Sequence, residues 1–179
     1  MSALRLHIGG KTPHSDWTIV DVLPGPHVAH VGSCTDLSAF RDGSVTEIYA
    51  SHVVEHLGYQ SELMQALREF NRVLAPNGML RISVPDLRIL CTLFLDPALE
   101  AQERFHVMRM MFGGQMDEAD FHKVGLTDEF LAGYLDAAGF GDIRRVESFG
   151  LFDDSSTTLF KGRPISVNLT ARKRAHRQT

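Results

Sequence analysis

The segment from residue 45 to residue 85 most constrains the fold, because it combines a strand, a helix and a second strand. Residues 45–51 (VTEIYAS) are rich in the β-branched and aromatic residues that strands favour. Residues 61–74 repeat apolar side chains every three or four positions, which is the spacing of one helix face. After a turn at residues 76–78, residues 79–85 (MLRISVP) form the second strand. A strand–helix–strand unit places its two strands parallel in one sheet.

The other segments extend this unit into an α/β sheet that is open and mostly parallel. The first two strands are only about eight residues apart, and a parallel crossover normally needs a dozen or more. We therefore expect the first crossover helix to be short or absent. The last two strands have no helix between them, which predicts an antiparallel C-terminal β-hairpin. The predicted strands are 4–8, 18–23, 27–34, 142–152 and 164–172, and the predicted helices lie within 97–112 and 127–138.

Length and composition are those of one ordinary globular domain, with 179 residues, 44% of them hydrophobic, and a net charge of −4. We assign residues 1–172 to this domain and residues 173–179 to a basic, disordered tail. The charge offers no general attraction to nucleic acid or to an anionic membrane. The start of the chain lacks the pattern of a signal peptide. Cys34 and Cys91 form no C-x-x-C pattern, so we expect a cytoplasmic protein with reduced cysteines.

The stretch His52-Val53-Val54-Glu55-His56 spells H-x-x-E-H, a pattern found in a class of zinc peptidases. That chemistry requires two histidines one helical turn apart and a further ligand downstream. Here the pattern starts where the strand 45–51 ends, so His52 falls at a turn. A peptidase is therefore the weakest of the functional hypotheses.

Ligands of open α/β sheets bind at the carboxyl ends of the parallel strands. The first strand ends in Gly9 and Gly10, and glycines let a backbone approach a ligand closely. Asp21 ends the second strand, and a carboxylate there can accept both hydrogens of a ribose diol. Asp36 follows the third strand, and His52 follows the fourth. These residues predict a nucleotide-like ligand.

The strand–helix–strand unit and the strand ends described above resemble those of the class I S-adenosylmethionine-dependent methyltransferases, and more narrowly those of the small type 11 group. The resemblance covers nearly the whole chain and implies a Rossmann-like sheet with helices on both faces. It departs from the family at the glycine motif, where the usual third glycine is absent. The matching stretches are LHIGGK (6–11), IVDVLPG (19–25), CTDLSAF (34–40), VTEIYASHVVEHL (45–57) and ALREFNRVLAPNGMLRISVPD (66–86).

The resemblance implies a site for S-adenosyl-L-methionine, with S-adenosyl-L-homocysteine as the product. It places the cofactor over the glycine turn, the ribose at Asp21, and the adenine near Asp36 and Leu37. Ser51 and His52 would line the methionine side. The residues predicted to bind the cofactor are His7, Gly9, Gly10, Asp21, Val22, Asp36, Leu37, Ser51 and His52.

An oxygen acceptor also needs a general base within hydrogen-bond reach. His56, Glu55 and His122 are the candidate catalytic residues, and residues 112–125 are the expected wall of the acceptor site. We expect no metal. The resemblance also implies an alternative, because some methyltransferases bind a divalent metal after this strand. The alternative metal set is His52, Glu55 and His56, which His106 or His122 could complete.

The predicted function is methyl transfer to an O or N nucleophile of a small-molecule or saccharide-like acceptor. The missing glycine and the short first crossover favour an alternative, a degenerate methyltransferase fold that acts as a non-catalytic binding or partner subunit. We expect no membrane or nucleic-acid partner. A homo-oligomer or a partner subunit could complete the site.

Overall fold

The sheet in the computed structural model, which describes residues 3–175, contains seven strands in the order β3-β2-β1-β4-β5-β9-β6. The strands β1 to β5 pair in parallel, and β9 pairs antiparallel with both β5 and β6. The predicted α/β class and the antiparallel C-terminal pair are therefore confirmed. The described part of the chain contains nine strands, which are β1 Leu4–Ile8, β2 Thr18–Asp21, β3 His30–Val31, β4 Val45–Ser51, β5 Leu74–Pro85, β6 Phe140–Arg145, β7 Leu159–Phe160, β8 Arg163–Pro164 and β9 Ser166–Lys173.

Four α-helices lie within the described residues, one more than the sequence analysis predicted. The additional helix, α2, follows β5 directly, because the Asp86 side chain accepts hydrogen bonds from the backbone N–H groups of Arg88 and Ile89. The helices are α1 Glu62–Val73, α2 Leu87–Phe94, α3 Ala101–Phe112 and α4 Asp128–Ala137.

Several predicted boundaries differ from the structure, and the strand predicted at 142–152 is β6, which ends at Arg145. The third strand is only His30–Val31, because the residues around it form turns. The predicted turn at residues 76–78 is an irregular part of β5, where the strand's pairing with β4 shifts register. The last strand extends through Lys173, whose Nζ donates to the backbone oxygens of Arg72 and Leu74. Most of the predicted tail, residues 176–179, lies outside the described residues.

The main core lies between the sheet and the helices α1 and α4. Leu67 and Phe70 of α1 and Leu131 of α4 are fully buried in the same cluster as Ile48 and Ile82 of the sheet. Alternation along the strands sends the neighbouring side chains to the opposite face of the sheet. The segment 146–158 covers part of that face, where the Tyr49 hydroxyl lies 2.7 Å from Asp154 Oδ2.

The connection between β1 and β2, residues 9–17, consists of turns and irregular backbone. The prediction of a short or absent first crossover helix is therefore confirmed. No helix therefore follows β1 at its carboxyl end. No helix within residues 3–175 has the length and apolar character to cross a membrane.

Candidate functional site

A cavity of about 400 Å³ opens at the carboxyl ends of β1, β2 and β4. This is the edge of the sheet where the sequence predicted a ligand. Four of the predicted cofactor residues, Gly9, Asp21, Val22 and His52, lie in its walls. The other lining residues are Lys11, Leu23, Ser33, Cys34, Val53, His56, Leu57, residues 117–120 and Lys123.

The glycine turn after β1 is tightly packed. Gly9 has a φ of +69°, and a Cβ added there would lie 2.6 Å from the Val53 side chain. A Cβ on Gly10 would lie 2.7 Å from the ring of His7. Both positions therefore need glycine for close packing as well as for any approach of a ligand. Gly9 faces the cavity, whereas Gly10 is buried behind it.

Asp21 is held at the cavity wall by two hydrogen bonds to its carboxylate. The backbone N–H of Leu23 donates to Oδ1 at 2.9 Å, and the Lys11 ammonium lies 2.8 Å from Oδ2. The side chain of Asp21 is only 6% exposed, whereas that of Lys11 is 76% exposed. The predicted ribose acceptor is thus paired with a lysine that the sequence analysis had not selected.

The structure gives His7 a packing role instead of the predicted cofactor contact. Its ring is buried against the rings of Phe152 and Tyr49, with centroids 4.2 Å and 5.0 Å away. Burial is the main reason that the pKa of His7 falls to about 4. Ser51, another predicted contact, is half-buried at the end of β4 and does not line the cavity.

The predicted adenine segment also lies outside the cavity. Leu37 is fully buried in the core, and its backbone N–H donates to Glu69 Oε2 at 2.8 Å. Asp36 is exposed and lines a separate open groove beside α1. Ser33 and Cys34 line the cavity after β3 instead. The sequence analysis missed them because it placed them inside a strand that in fact ends at Val31.

His52, which lines the cavity, and the buried Glu55 behind it form an uncharged pair. The His52 Nδ1 lies 3.4 Å from Glu55 Oε1, and its Nε2 lies 2.9 Å from Ser166 Oγ. Burial lowers the pKa of His52 to about 4 and raises the pKa of Glu55 to about 8. Both groups are therefore mainly neutral at pH 7, and their contact is not an ion pair. His52 also has a φ of +53°, an uncommon conformation for a residue other than glycine.

The three predicted catalytic residues come together although His122 is distant in sequence. Glu55 and His56 belong to the 3₁₀ turn Val54–His56 after β4, and His122 belongs to the loop after α3. The rings of His56 and His122 meet edge-to-face, with centroids 4.8 Å apart. Only His56 lines the cavity, while Glu55 is 1% exposed. Burial is the main cause that lowers the pKa of His122.

The donor atoms of Glu55, His56 and His122 all lie within 4.8 Å of one another. This set differs from the alternative metal set of the sequence analysis, because His52 is turned toward Ser166 and His122 takes its place. His52 and His56 also do not share a regular α-helix, since His52 precedes the 3₁₀ turn. The geometry that a zinc peptidase needs is therefore absent at this stretch.

The far wall of the cavity is acidic. It is formed by Asp117, Glu118 and Asp120, within the region predicted as the acceptor wall. Asp120 shapes this loop, because its backbone and side-chain oxygens accept hydrogen bonds from the N–H groups of Gln115 and Met116. All three residues line the cavity, and the carboxylates of Asp117 and Asp120 also accept hydrogen bonds from N–H groups of the same loop.

Residues 19–82 match the family model of a methyltransferase domain. This match covers 64 of the 179 residues, so the chain is similar to this family over about a third of its length. The resemblance seen in the sequence is thereby confirmed, and S-adenosylmethionine is the cofactor of this class of domain. The match starts within β2 and does not include the glycine turn. A comparison with curated proteins found no match.

Solved structures of methyltransferases share the fold at low sequence identity. The carbon methyltransferase CurJ aligns with a TM-score of 0.60 at 13% identity over 97% of this chain, which spans only 49% of CurJ. A SAM-dependent methyltransferase from Archaeoglobus fulgidus aligns with a TM-score of 0.58 at 18% identity, covering 96% of this chain and 86% of that one. The Burkholderia thailandensis 1,6-didemethyltoxoflavin-N1-methyltransferase was solved with bound 1,6-didemethyltoxoflavin and S-adenosylhomocysteine. It aligns with a TM-score of 0.57 at 16% identity, covering 97% of this chain and 72% of that one.

Proposed function

We propose that this protein transfers a methyl group from S-adenosylmethionine to an O or N nucleophile of a small-molecule or saccharide-like acceptor. One observation carries the proposal: a single cavity joins Gly9, Asp21 and His52 to His56. Cofactor and acceptor groups must share one space, because methyl transfer is an in-line displacement between them. Orientation alone can supply much of the rate of such a reaction.

The reaction moves the methyl group without a covalent enzyme intermediate. The S–CH₃ bond breaks and leaves its electron pair on sulfur, so the sulfonium becomes a neutral thioether. A lone pair of the acceptor forms the new O–CH₃ or N–CH₃ bond. The acceptor then releases the proton of its hydroxyl or amino group.

His56 is the proposed recipient of that proton, because it is the one member of the Glu55–His56–His122 group that lines the cavity. Its Nδ1 lies 3.2 Å from the carbonyl oxygen of Phe121, so it donates its proton there. This bond leaves Nε2 with a free lone pair. His122 packs against the ring and fixes its orientation, and Glu55 lies behind both, away from the acceptor.

The acidic wall supports an acceptor that carries no negative charge. Asp117, Glu118 and Asp120 would repel a phosphate or a carboxylate at the cavity mouth. They can accept hydrogen bonds from hydroxyl or amino groups. This supports a neutral polyol or an amine over a nucleic acid. The toxoflavin-precursor enzyme of similar fold also binds a small molecule.

Calorimetric titration of S-adenosylhomocysteine into the wild type and Asp21→Asn tests the cofactor site. We expect the wild type to bind and the variant to lose about tenfold or more in affinity, because a charged acceptor of ribose hydrogens becomes a neutral amide. Asp36→Asn is the matched control, since Asp36 is exposed in a separate groove. Equal affinities in the wild type and Asp21→Asn would refute the ribose assignment.

A turnover assay tests the acceptor side of the cavity. Small polyols and amines are incubated with the enzyme and S-adenosylmethionine, and release of S-adenosylhomocysteine is measured. With an accepted substrate, His56→Gln should lower turnover by about 10²-fold or more while leaving cofactor affinity unchanged. Sensitivity of the wild type to a chelator would instead favour a cation held by Glu55, His56 and His122.

The alternative function, a non-catalytic binding subunit, is favoured by one observation. The carboxylate proposed for the ribose is already paired with Lys11. If the fold has lost its cofactor, S-adenosylhomocysteine should leave the melting temperature unchanged. A clear upward shift would rule out this alternative. The same measurement at several protein concentrations would reveal a homo-oligomer. Cytoplasmic location and the domain boundary at residue 172 stay predictions.

A further inference from the structure

Lys11 lies in the short loop that connects β1 to β2 in place of a crossover helix. It follows the glycine turn, lines the cavity and holds its ammonium 2.8 Å from Asp21 Oδ2. Its side chain is 76% exposed. An ion pair with one partner so exposed contributes little to stability, so it can separate at small cost.

The cofactor brings a charge that the cavity must match. Its amino-acid end carries a carboxylate and an ammonium group. A helix N-terminus often binds such a carboxylate, but residues 9–17 form no helix here. The carboxylate therefore needs a side-chain cation. The acidic wall of Asp117, Glu118 and Asp120 suits the ammonium group and repels the carboxylate.

Two residues of the described cavity wall are lysines or arginines, namely Lys11 and Lys123. Lys123 is engaged with Glu62, whose Oε2 lies 3.1 Å from its Nζ. The same Oε2 accepts a hydrogen bond from the backbone N–H of Gly58 at 2.7 Å, which fixes the partner in place. Among the described residues, Lys11 is bound only to Asp21, and the ribose diol needs that same carboxylate.

We infer that Lys11 is the residue that recognises the cofactor's carboxylate, and that it exchanges Asp21 for this carboxylate when the cofactor binds. The exchange frees Asp21 Oδ2 to accept from the ribose, while Oδ1 keeps its bond from Leu23. One lysine thus shields the ribose acceptor in the empty cavity and selects for the amino-acid end of the ligand. This inference rests on the proposed function, because it assumes that S-adenosylmethionine binds in this cavity.

The test compares two ligands that differ in the amino-acid end. S-adenosylhomocysteine has it, and 5′-methylthioadenosine lacks it. Dissociation constants for both are measured calorimetrically with the wild type, Lys11→Met, Lys11→Arg and Lys123→Met. The last variant removes the same charge from the same cavity and serves as the matched control.

We expect Lys11→Met to weaken the binding of S-adenosylhomocysteine by about tenfold or more, because one charged hydrogen bond is lost. Binding of 5′-methylthioadenosine should stay equal or become slightly tighter, because Asp21 is released. Lys11→Arg should restore much of the lost affinity, and Lys123→Met should not change the ratio between the two ligands.

Three results would overturn the inference alone: an unchanged affinity for S-adenosylhomocysteine in Lys11→Met, an equal loss for both ligands, or the same loss in Lys123→Met. Failure of the wild type to bind either ligand would overturn the proposed function, and the inference with it. The two failures are therefore distinguishable by the wild-type titration.

Discussion

Replacement of His7 by phenylalanine should remove an acid-sensitive element of the fold. The His7 ring is 6% exposed and packs between the rings of Tyr49 and Phe152. Its Nδ1 is buried and has no hydrogen-bond partner within residues 3–175. Burial without a partner disfavours the charged imidazolium, which is why the pKa of His7 falls from 6.5 to about 4.

The direction of the pH effect follows from this lowered pKa. Below pH 6.5 the unfolded chain takes up a proton on His7, while the folded protein does not until about pH 4. Stability is therefore complete above pH 6.5 and is lost as the pH falls toward 4. Each unit of pKa difference corresponds to about 1.4 kcal/mol, so the loss reaches about 2 kcal/mol at pH 5 and about 3 kcal/mol at pH 4.

Urea denaturation at pH 8 and pH 5 measures this effect. Between these two values the wild type should lose about 2 kcal/mol more of its free energy of unfolding than His7→Phe does. His14→Phe is the control, since His14 is exposed and touches the same Phe152 ring. Equal pH dependence in the wild type and His7→Phe would refute the reasoning. Unchanged S-adenosylhomocysteine affinity in His7→Phe would further support a role in packing.

Two further substitutions test how the cavity edge and the covered sheet face are held. Gly9→Ala should destabilise the protein by about 1–3 kcal/mol in urea denaturation, because of its φ of +69° and the Val53 side chain 2.6 Å from the added Cβ. Gly150→Ala, with a φ of +64° and open space, should cost less, and equal losses would contradict the packing argument. Tyr49→Phe removes the 2.7 Å bond to Asp154 and should cost about 1–3 kcal/mol. Hydrogen exchange in residues 149–157 should then accelerate, and unchanged protection there would count against this role.

The central strand–helix–strand unit was predictable because its signals are local. The strand 45–51 was placed at its observed bounds, and α1 differs from its predicted range by one residue at each end. The third strand exists but was predicted too long, because alternation in residues 27–34 imitates a strand. The backbone N–H groups of Val28 and Gly32 instead donate to the carbonyl oxygens of Gly25 and Asp21. The helix α2 was missed because the predicted strand ended at residue 85 and Asp86 was not recognised as a helix cap.

The candidate site was predictable only where strand ends define it. Gly9, Asp21 and His52 follow parallel strands, so topology alone brings them to one cavity. The meeting of His56 with His122 depends on how the loop after α3 folds back, which no local pattern reveals. No sequence pattern points to Lys11, because it was singled out by its contact with Asp21 in the structure.

The missing first crossover helix links the fold to the proposed chemistry. A helix at that position would present backbone N–H groups and a positive dipole to an anionic ligand. The loop that replaces it offers the exposed cation of Lys11 in place of a fixed dipole. A side chain can move between partners where a dipole cannot, so the empty cavity can keep Asp21 neutralised until a carboxylate arrives. In the proposed exchange, ion pairs take the place of backbone geometry, so the affinity for the cofactor should fall with rising salt more steeply than that of a dipole-based site.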